Sequence, residues 1–319
     1  MPNDNSPDAS KTRLCLKGRR PDSVAYQTQS GRMYNGKSED ILKRPEIQKL
    51  RGSVDLIFTS PPFPLNRKKK YGNLNGEAYI DWLTDIGGIL KELLSETGSI
   101  VMEIGNSWES GSPTMSTLAM RALLSFLDKN NLKLCQEFVW NNPAKLPSPA
   151  QWVNVERCRV KDSFTKIWWM SPCSRPKANN RNVLVPYSDS MKKLLKTGRY
   201  NSGVRPSEHN IGETSFLQDN GGAIPGSVLT YSNTSNQEEY NRHCKSLEVI
   251  PHPARMPLDL PEFFISFLTD PDDLVLDPFG GSNTTGFVAE QLGRKWISVE
   301  PNMDYITGSK GRFPSGAIL

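Results

Sequence analysis

Short apolar runs alternate along this chain with stretches whose apolar residues recur at helical spacing. Val54-Asp55-Leu56-Ile57-Phe58-Thr59 has the length and β-branching of a buried strand and is stopped by Pro61-Pro62. Ile80, Leu83, Ile86, Leu90, Leu93 and Leu94 follow at spacings of three and four, which predicts an amphipathic helix. Residues 31–35 and 99–104 read as strands, 113–128 as a helix carrying Leu118, Leu123, Leu124 and Leu127, and 137–140 and 167–170 as later strands. Further on, 261–268 predicts a helix, Leu274-Val275-Leu276-Asp277 a buried strand, 284–292 a helix and 296–299 a strand. Such alternation predicts an α/β domain with a mostly parallel sheet.

Two regions break the pattern. Residues 1–24 are polar, contain Pro2, Pro7 and Pro21, and predict a disordered tail. Residues 175–246 turn basic and then rich in Gly, Asn and Ser, so they read as a small lobe inserted between 25–174 and 247–319.

Composition narrows the function. The 319 residues are 36% hydrophobic and include no apolar run near the ~18 residues of a membrane span. The start MPNDNSPDAS lacks the apolar core of a secretory signal. Five scattered cysteines without a C-x-x-C pair, and only three histidines, argue against a disulfide framework or a metal site and for reduced thiols in a cytoplasmic protein. Net charge is +5, but its distribution says more: 175–205 carries eight basic residues, Lys192 and Lys193 among them, against the single acid Asp189. A second cluster is Arg67, Lys68, Lys69 and Lys70. Such local excess suits a polyanion, because each neutralised phosphate releases counterions.

Two constellations carry chemistry. In the first, Asp277-Pro278-Phe279-Gly280-Gly281-Ser282-Asn283-Thr284-Thr285-Gly286 closes a strand and opens a helix, and Glu300 ends the next strand. Glycines permit close backbone approach, the helix start offers N–H donors, and an acid at the next strand end can accept from ribose hydroxyls. The spacing differs from the dinucleotide G-x-G-x-x-G, and the bulky Phe279 suits a nucleoside cofactor without phosphates. In the second, Thr59-Ser60-Pro61-Pro62-Phe63 stands at the carboxyl end of a strand, where open α/β sheets bind ligands. A rigid Pro-Pro loop with a hydroxyl and a ring can accept from an exocyclic amino group while the ring stacks on a base. Trp168 or Trp169 is a candidate for a second stacking face.

Together these residues resemble the β group of bacterial DNA cytosine-N4 methyltransferases, from type II restriction-modification, and within it the PvuII-type modification enzymes. Tyr71-Gly72-Asn73-Leu74, Lys145-Leu146-Pro147-Ser148-Pro149, Arg159-Val160-Lys161-Asp162, Asp219-Asn220-Gly221-Gly222, His252-Pro253-Ala254-Arg255 and Arg294-Lys295-Trp296-Ile297-Ser298 extend the resemblance over about residues 30 to 313. It implies a Rossmann-like methyltransferase fold with a mixed, mostly parallel seven-stranded sheet, circularly permuted so that the catalytic half precedes the cofactor half, with 175–246 as target-recognition lobe. It implies S-adenosyl-L-methionine held by Asp277, Phe279, Gly280, Gly281, Ser282, Asn283, Thr284 and Glu300, with Glu103, His252 and Arg255 beside it. By residue chemistry alone His252 could equally cap the start of the following helix.

The resemblance further implies that Ser60, Pro61, Pro62 and Phe63 receive a flipped-out cytosine, and that Arg67, Lys68, Lys69, Lys145, Lys161, Lys192 and Lys193 contact double-stranded DNA. A monomer, a short palindromic site such as CAGCTG and a cognate endonuclease complete the expectation. Two positions depart from the family pattern. Lys37 stands where an acid near the adenine is expected, with Glu39 or Asp40 as substitutes, and Glu103 stands where the related enzymes carry Asp. Competing readings are an adenine-N6 methyltransferase, a nicotinamide dehydrogenase and a DNA-binding relative without catalysis.

Overall fold

A computed structural model describes residues 23–63, 76–233 and 238–313. The basic cluster at 67–70, the stretch 71–74 and all of the expected tail except Ser23 and Val24 lie outside them. The strands are β1 (Ser23–Gln27), β2 (Gly31–Asn35), β3 (Val54–Thr59), β4 (Leu94–Ile104), β5 (Lys133–Asn141), β6 (Phe164–Ser171), β7 (Gly203–Val204), β8 (Asn210–Ile211), β9 (Val228–Thr230), β10 (Leu274–Asp277) and β11 (Lys295–Glu300). The helices are α1 (Ser38–Ile41), α2 (Pro45–Gln48), α3 (Glu77–Leu93), α4 (Leu118–Asn130), α5 (Asp189–Thr197), α6 (Glu238–Ser246), α7 (Asp259–Leu268), α8 (Thr284–Gln291) and α9 (Met303–Ser309).

Nine strands form one sheet in the order β1-β2-β11-β10-β3-β4-β6-β5-β9. From β2 through β4 the strands are parallel, and β6 is antiparallel to both β4 and β5. The seven expected strands are the central ones. The two additional strands are edges: β1 pairs antiparallel with β2, and β9 pairs parallel with β5. Ser23 and Val24 therefore belong to a strand rather than to the tail.

Both faces of the sheet are covered, which explains why its central strands are apolar on successive positions rather than alternate ones. Ile100, Met102 and Trp168 face α3 and α4, whose Leu83, Ile86, Leu90 and Phe126 fill one core. Phe58, Val101, Trp169 and Trp296 face α7 and α8, where Phe264, Leu268 and Val288 fill the other. Trp168 and Trp169 are thus core residues on opposite faces, and the Trp169 indole donates to Ser99 Oγ at 2.8 Å. Neither supplies a face for a base.

The segment 175–246 is more interwoven than a separate lobe. The Lys177 and Asn179 amides donate to the carbonyls of Thr97 and Phe267, β9 joins the sheet, and α6 packs against α9. Residues 186–227, with α5 and the β7–β8 hairpin, form its remaining part.

Trp296 stands opposite Gly31 in the β2–β11 pairing, and a Cβ on Gly31 would lie 2.2 Å from the indole. Gly31→Ala should therefore cost about 1–3 kcal/mol, read as a lower urea midpoint. An unchanged midpoint would mean that the indole has room to move.

Candidate functional site

Parallel pairing places the carboxyl ends of β11, β10, β3 and β4 side by side. After β3 the two prolines remove backbone donors, so the ladder ends and Ser60 is left half-buried beside β4. Its hydroxyl donates to Glu103 Oε2 at 2.5 Å. Glu103 is buried, and burial pushes its carboxyl up to about 7 even though the Ser60 hydroxyl and the Lys145 cation act in the opposite direction. Phe63 is half-buried with its ring lying on Gly105, where a Cβ would come within 3.2 Å of it. The structure therefore joins Ser60, Pro61, Pro62, Phe63 and Glu103 in one place, with Glu103 bonded to the serine.

Next to them, Asp277 ends β10 fully buried. Its Oδ1 accepts from Thr59 Oγ1 at 2.8 Å and from the Phe279 amide at 3.0 Å, and its Oδ2 accepts from Thr285 Oγ1 at 2.7 Å. Burial raises its pKa, while those three donors oppose the shift. Asp277 acts as a tie between β3, the glycine turn and α8. Asn283 is likewise internal: it caps α8 by accepting from the Gly286 amide, accepts from Ser298 Oγ at 2.7 Å and donates to Tyr26 Oη at 2.8 Å. Both residues hold the glycine turn in place through bonds to neighbouring side chains and backbone.

The turn itself presents backbone. Gly281 has φ of 51° and approaches His252, whose ring a Cβ there would meet at 3.1 Å; a Cβ on Gly280 would meet Ser298 at 3.1 Å. Glu300 ends β11 and accepts from the Gly281 amide at 3.0 Å on one oxygen and from the Asn302 amide at 2.9 Å on the other. Burial, reinforced by Asp277, lifts it to about 7. Each oxygen retains a lone pair, so this carboxylate can accept from two hydroxyls of a ligand. Phe279 packs at 5.6 Å from Trp82, whose indole donates to Glu39. Glu39, not the exposed Asp40 or Lys37, is thus the acid beside the aromatic wall.

His252 packs edge-on to Tyr305 at 4.6 Å and lies seven residues before α7, so it does not cap that helix. Arg255 donates to the His252 carbonyl at 3.1 Å. Sequence reasoning placed Thr59 and Thr285 inside the two motifs without giving them a role, and it missed Arg312. Thr59 and Thr285 hold Asp277, and buried Arg312 donates to the Ser282 carbonyl at 2.8 Å while its guanidinium stacks over Tyr240 at 4.5 Å. Burial lowers Arg312 to about 10. Threonine hydroxyls and an isolated arginine carry no spacing signal.

Of the expected phosphate contacts, Lys192 and Lys193 are exposed on α5, with Lys192 beside Asp189 at 3.3 Å. Lys145 instead pairs with Asp162 at 2.8 Å, and Lys161 donates to the Lys145 carbonyl at 3.4 Å. Among the described residues no group of three or more His, Cys, Asp or Glu could hold a metal.

A protein-family model described as DNA methylase matches residues 54–311. The type II methyltransferase M.PvuII of Proteus hauseri is 45% identical over 93% of this chain and 86% of its own length. A solved structure described as PvuII DNA methyltransferase (cytosine-N4-specific) superposes with a TM-score of 0.73 and 38% identity, covering 91% of this chain and 88% of that one. The DNA adenine methyltransferase YhdJ of Escherichia coli K12 is 27% identical over 82% of this chain and 76% of its own.

The Glu103 carboxyl yields a stability test. Its pKa lies at about 7 in the fold against an ordinary 4.5, so between those values the folded state binds more protons than the unfolded one, and stability falls as pH rises. The cost is fully present above about 7. Glu103→Gln should therefore stabilise the protein at pH 8, by on the order of 3 kcal/mol, and much less at pH 4. Equal effects at both pH values would contradict the assignment.

Proposed function

This chain belongs to the DNA methylase family, and on that premise we propose that it transfers a methyl group from S-adenosyl-L-methionine to the exocyclic N4 of cytosine in double-stranded DNA, as a type II modification enzyme of circularly permuted order. The observation that carries the reading is the Ser60–Glu103 pair at the end of the Ser-Pro-Pro-Phe loop.

The cytosine amino nitrogen is a weak nucleophile because its lone pair is delocalised into the ring. The Ser60 oxygen and the Pro61 carbonyl accept from its two N–H groups and draw the nitrogen toward a tetrahedral shape. When the N–C bond forms, the nitrogen must shed one proton. Ser60 takes it while passing its own along the 2.5 Å bond to Glu103, which burial has made basic enough to hold it. No protein nucleophile is required. Phe63 stacks against the base.

Bound S-adenosyl-L-methionine supplies the electrophilic methyl. The residues present fit it: Glu300, with a lone pair left on each oxygen, would accept from the ribose hydroxyls, the Gly280–Gly281 backbone would leave room for the nucleoside, and Phe279 with Trp82 would flank the adenine. Glu39 stands in for the acid that Lys37 replaces.

The amino group is out of reach inside a duplex, so the cytosine is flipped out. Lys192 and Lys193 on α5 contact phosphate, and 175–246 reads a short palindrome. The enzyme works as a monomer alongside a cognate endonuclease. The cytosine reading is favoured over adenine because the cytosine-N4-specific structure is 38% identical, whereas the adenine enzyme is 27% identical.

The test is transfer of labelled methyl to plasmid DNA containing CAGCTG sites, with mass spectrometry of the digested nucleosides. The expected product is N4-methylcytosine, with Ser60→Ala at least about tenfold slower at retained DNA binding. N6-methyladenine would establish the adenine reading instead, and unchanged turnover would remove Ser60 from the mechanism.

A further inference from the structure

Strands β5 and β6 are joined by a long excursion, residues 142–163. Its neck is closed by the Asn142 amide donating to the Ser163 carbonyl at 2.8 Å, and the two limbs are tied where the Asp162 amide donates to the Ser148 carbonyl at 3.1 Å. The excursion is fastened to the loop that leaves β4 beside the site. Asp162 accepts from Asn106 Nδ2 at 2.8 Å on one oxygen and from Lys145 Nζ at 2.8 Å on the other, and the Arg159 guanidinium stacks 3.5 Å above the Trp108 ring. Asn106 directly follows Gly105, the residue on which Phe63 lies. The anchored limbs are thus tied to the loop that carries Phe63's contact, and Lys145 lies close enough to act on Glu103.

Three aliphatic side chains of the excursion are exposed, Val160 at 88%, Leu146 at 79% and Val155 at 69%, and Val160 and Leu146 stand on the limbs that these bonds join. A single exposed aliphatic residue is ordinary. Here two stand on limbs joined by the bond from Lys161 to the Lys145 carbonyl, next in sequence to the anchored Lys145 and Arg159. Basic side chains flank them, Lys161 and Arg157 both exposed. An apolar tip between cations suits a ligand that is anionic outside and apolar between its layers, which describes the edge of a nucleic-acid double helix.

We propose that Leu146 and Val160 form a wedge that enters the duplex at the target step and fills the stack vacated by the flipped cytosine, while Lys161 and Arg157 take the flanking phosphates. This rests on the reading of the protein as a duplex-DNA methyltransferase. Removing a base from the stack forfeits its contacts with both neighbours, and aliphatic side chains in the gap restore part of them while leaving water.

The test compares the full-length protein with the double variant Leu146→Ala, Val160→Ala under single-turnover conditions with saturating cofactor. Two duplexes are used, one with the target cytosine paired to guanine and one with an abasic position opposite it, where opening is already favoured. The double variant should be at least about fivefold slower on the paired duplex and within about twofold of wild type on the unpaired one. Retained activity on the unpaired duplex also shows that the variant is folded. An equal loss on both duplexes, or no loss on either, would overturn the wedge while leaving the enzymatic reading intact. Absence of methyl transfer to both duplexes by the wild-type protein would overturn the enzymatic reading and the wedge with it.

Discussion

Three hydrogen bonds to one buried carboxylate hold this site together. Asp277 receives Thr59 from the end of β3, Thr285 from the first turn of α8 and the backbone amide of Phe279 from the turn between them. Thr59 is 218 residues away in sequence and immediately precedes Ser60. The Ser-Pro-Pro-Phe loop and the glycine turn therefore keep a fixed separation, because moving either would leave a buried charge short of donors. The proposed methyl transfer uses no protein nucleophile, so beyond the Ser60–Glu103 proton relay it depends on such positioning.

Around that tie the fold keeps two further carboxylates near the middle of the pH scale. Glu103 and Glu300 end neighbouring regions of the same sheet, and both are lifted to about 7 by burial. Their partners differ, and so does what each can do. Glu300 accepts two backbone amides, which fixes its orientation and leaves lone pairs toward a ligand. Glu103 accepts a serine hydroxyl, which can move its proton. Beyond Glu103, the Lys145 cation and its partner Asp162 tie the excursion between β5 and β6 to the Ser60–Glu103 pair.

The strands and helices that carry the site were legible because burial on both faces makes Leu56-Ile57-Phe58, Leu274-Val275-Leu276 and Trp296-Ile297 apolar on successive positions in β3, β10 and β11, and because α3 is strongly periodic. The sheet edges were not: β9 is three residues long and β1 has only Ala25 and Tyr26 buried. Helices α5 and α6 were hidden by composition, since α6 meets the core through Tyr240 and Cys244 alone and α5 buries no residue. Within the site, Ser60 and Glu300 stood out by type and place, whereas Glu103 came only from the resemblance, as a neighbour of the cofactor rather than as the partner of Ser60. The role of Asp277 did not stand out, because its partners are threonines whose hydroxyls carry no pattern. Lys145 looked like a phosphate contact, and its partner Asp162 is 17 residues away across the excursion.

The central claim is that Glu103 receives the proton displaced from the amino nitrogen by way of Ser60. Its most direct test is the single-turnover methylation rate of the prebound enzyme–cofactor–DNA complex as a function of pH, for wild type and for Glu103→Gln. With the Glu103 carboxyl at about 7, the wild-type rate should fall about tenfold per pH unit below that value and level off above it, and Glu103→Gln should be slow and lack this limb. The same limb in both proteins, or a wild-type rate independent of pH between about 5.5 and 8.5, would contradict the account.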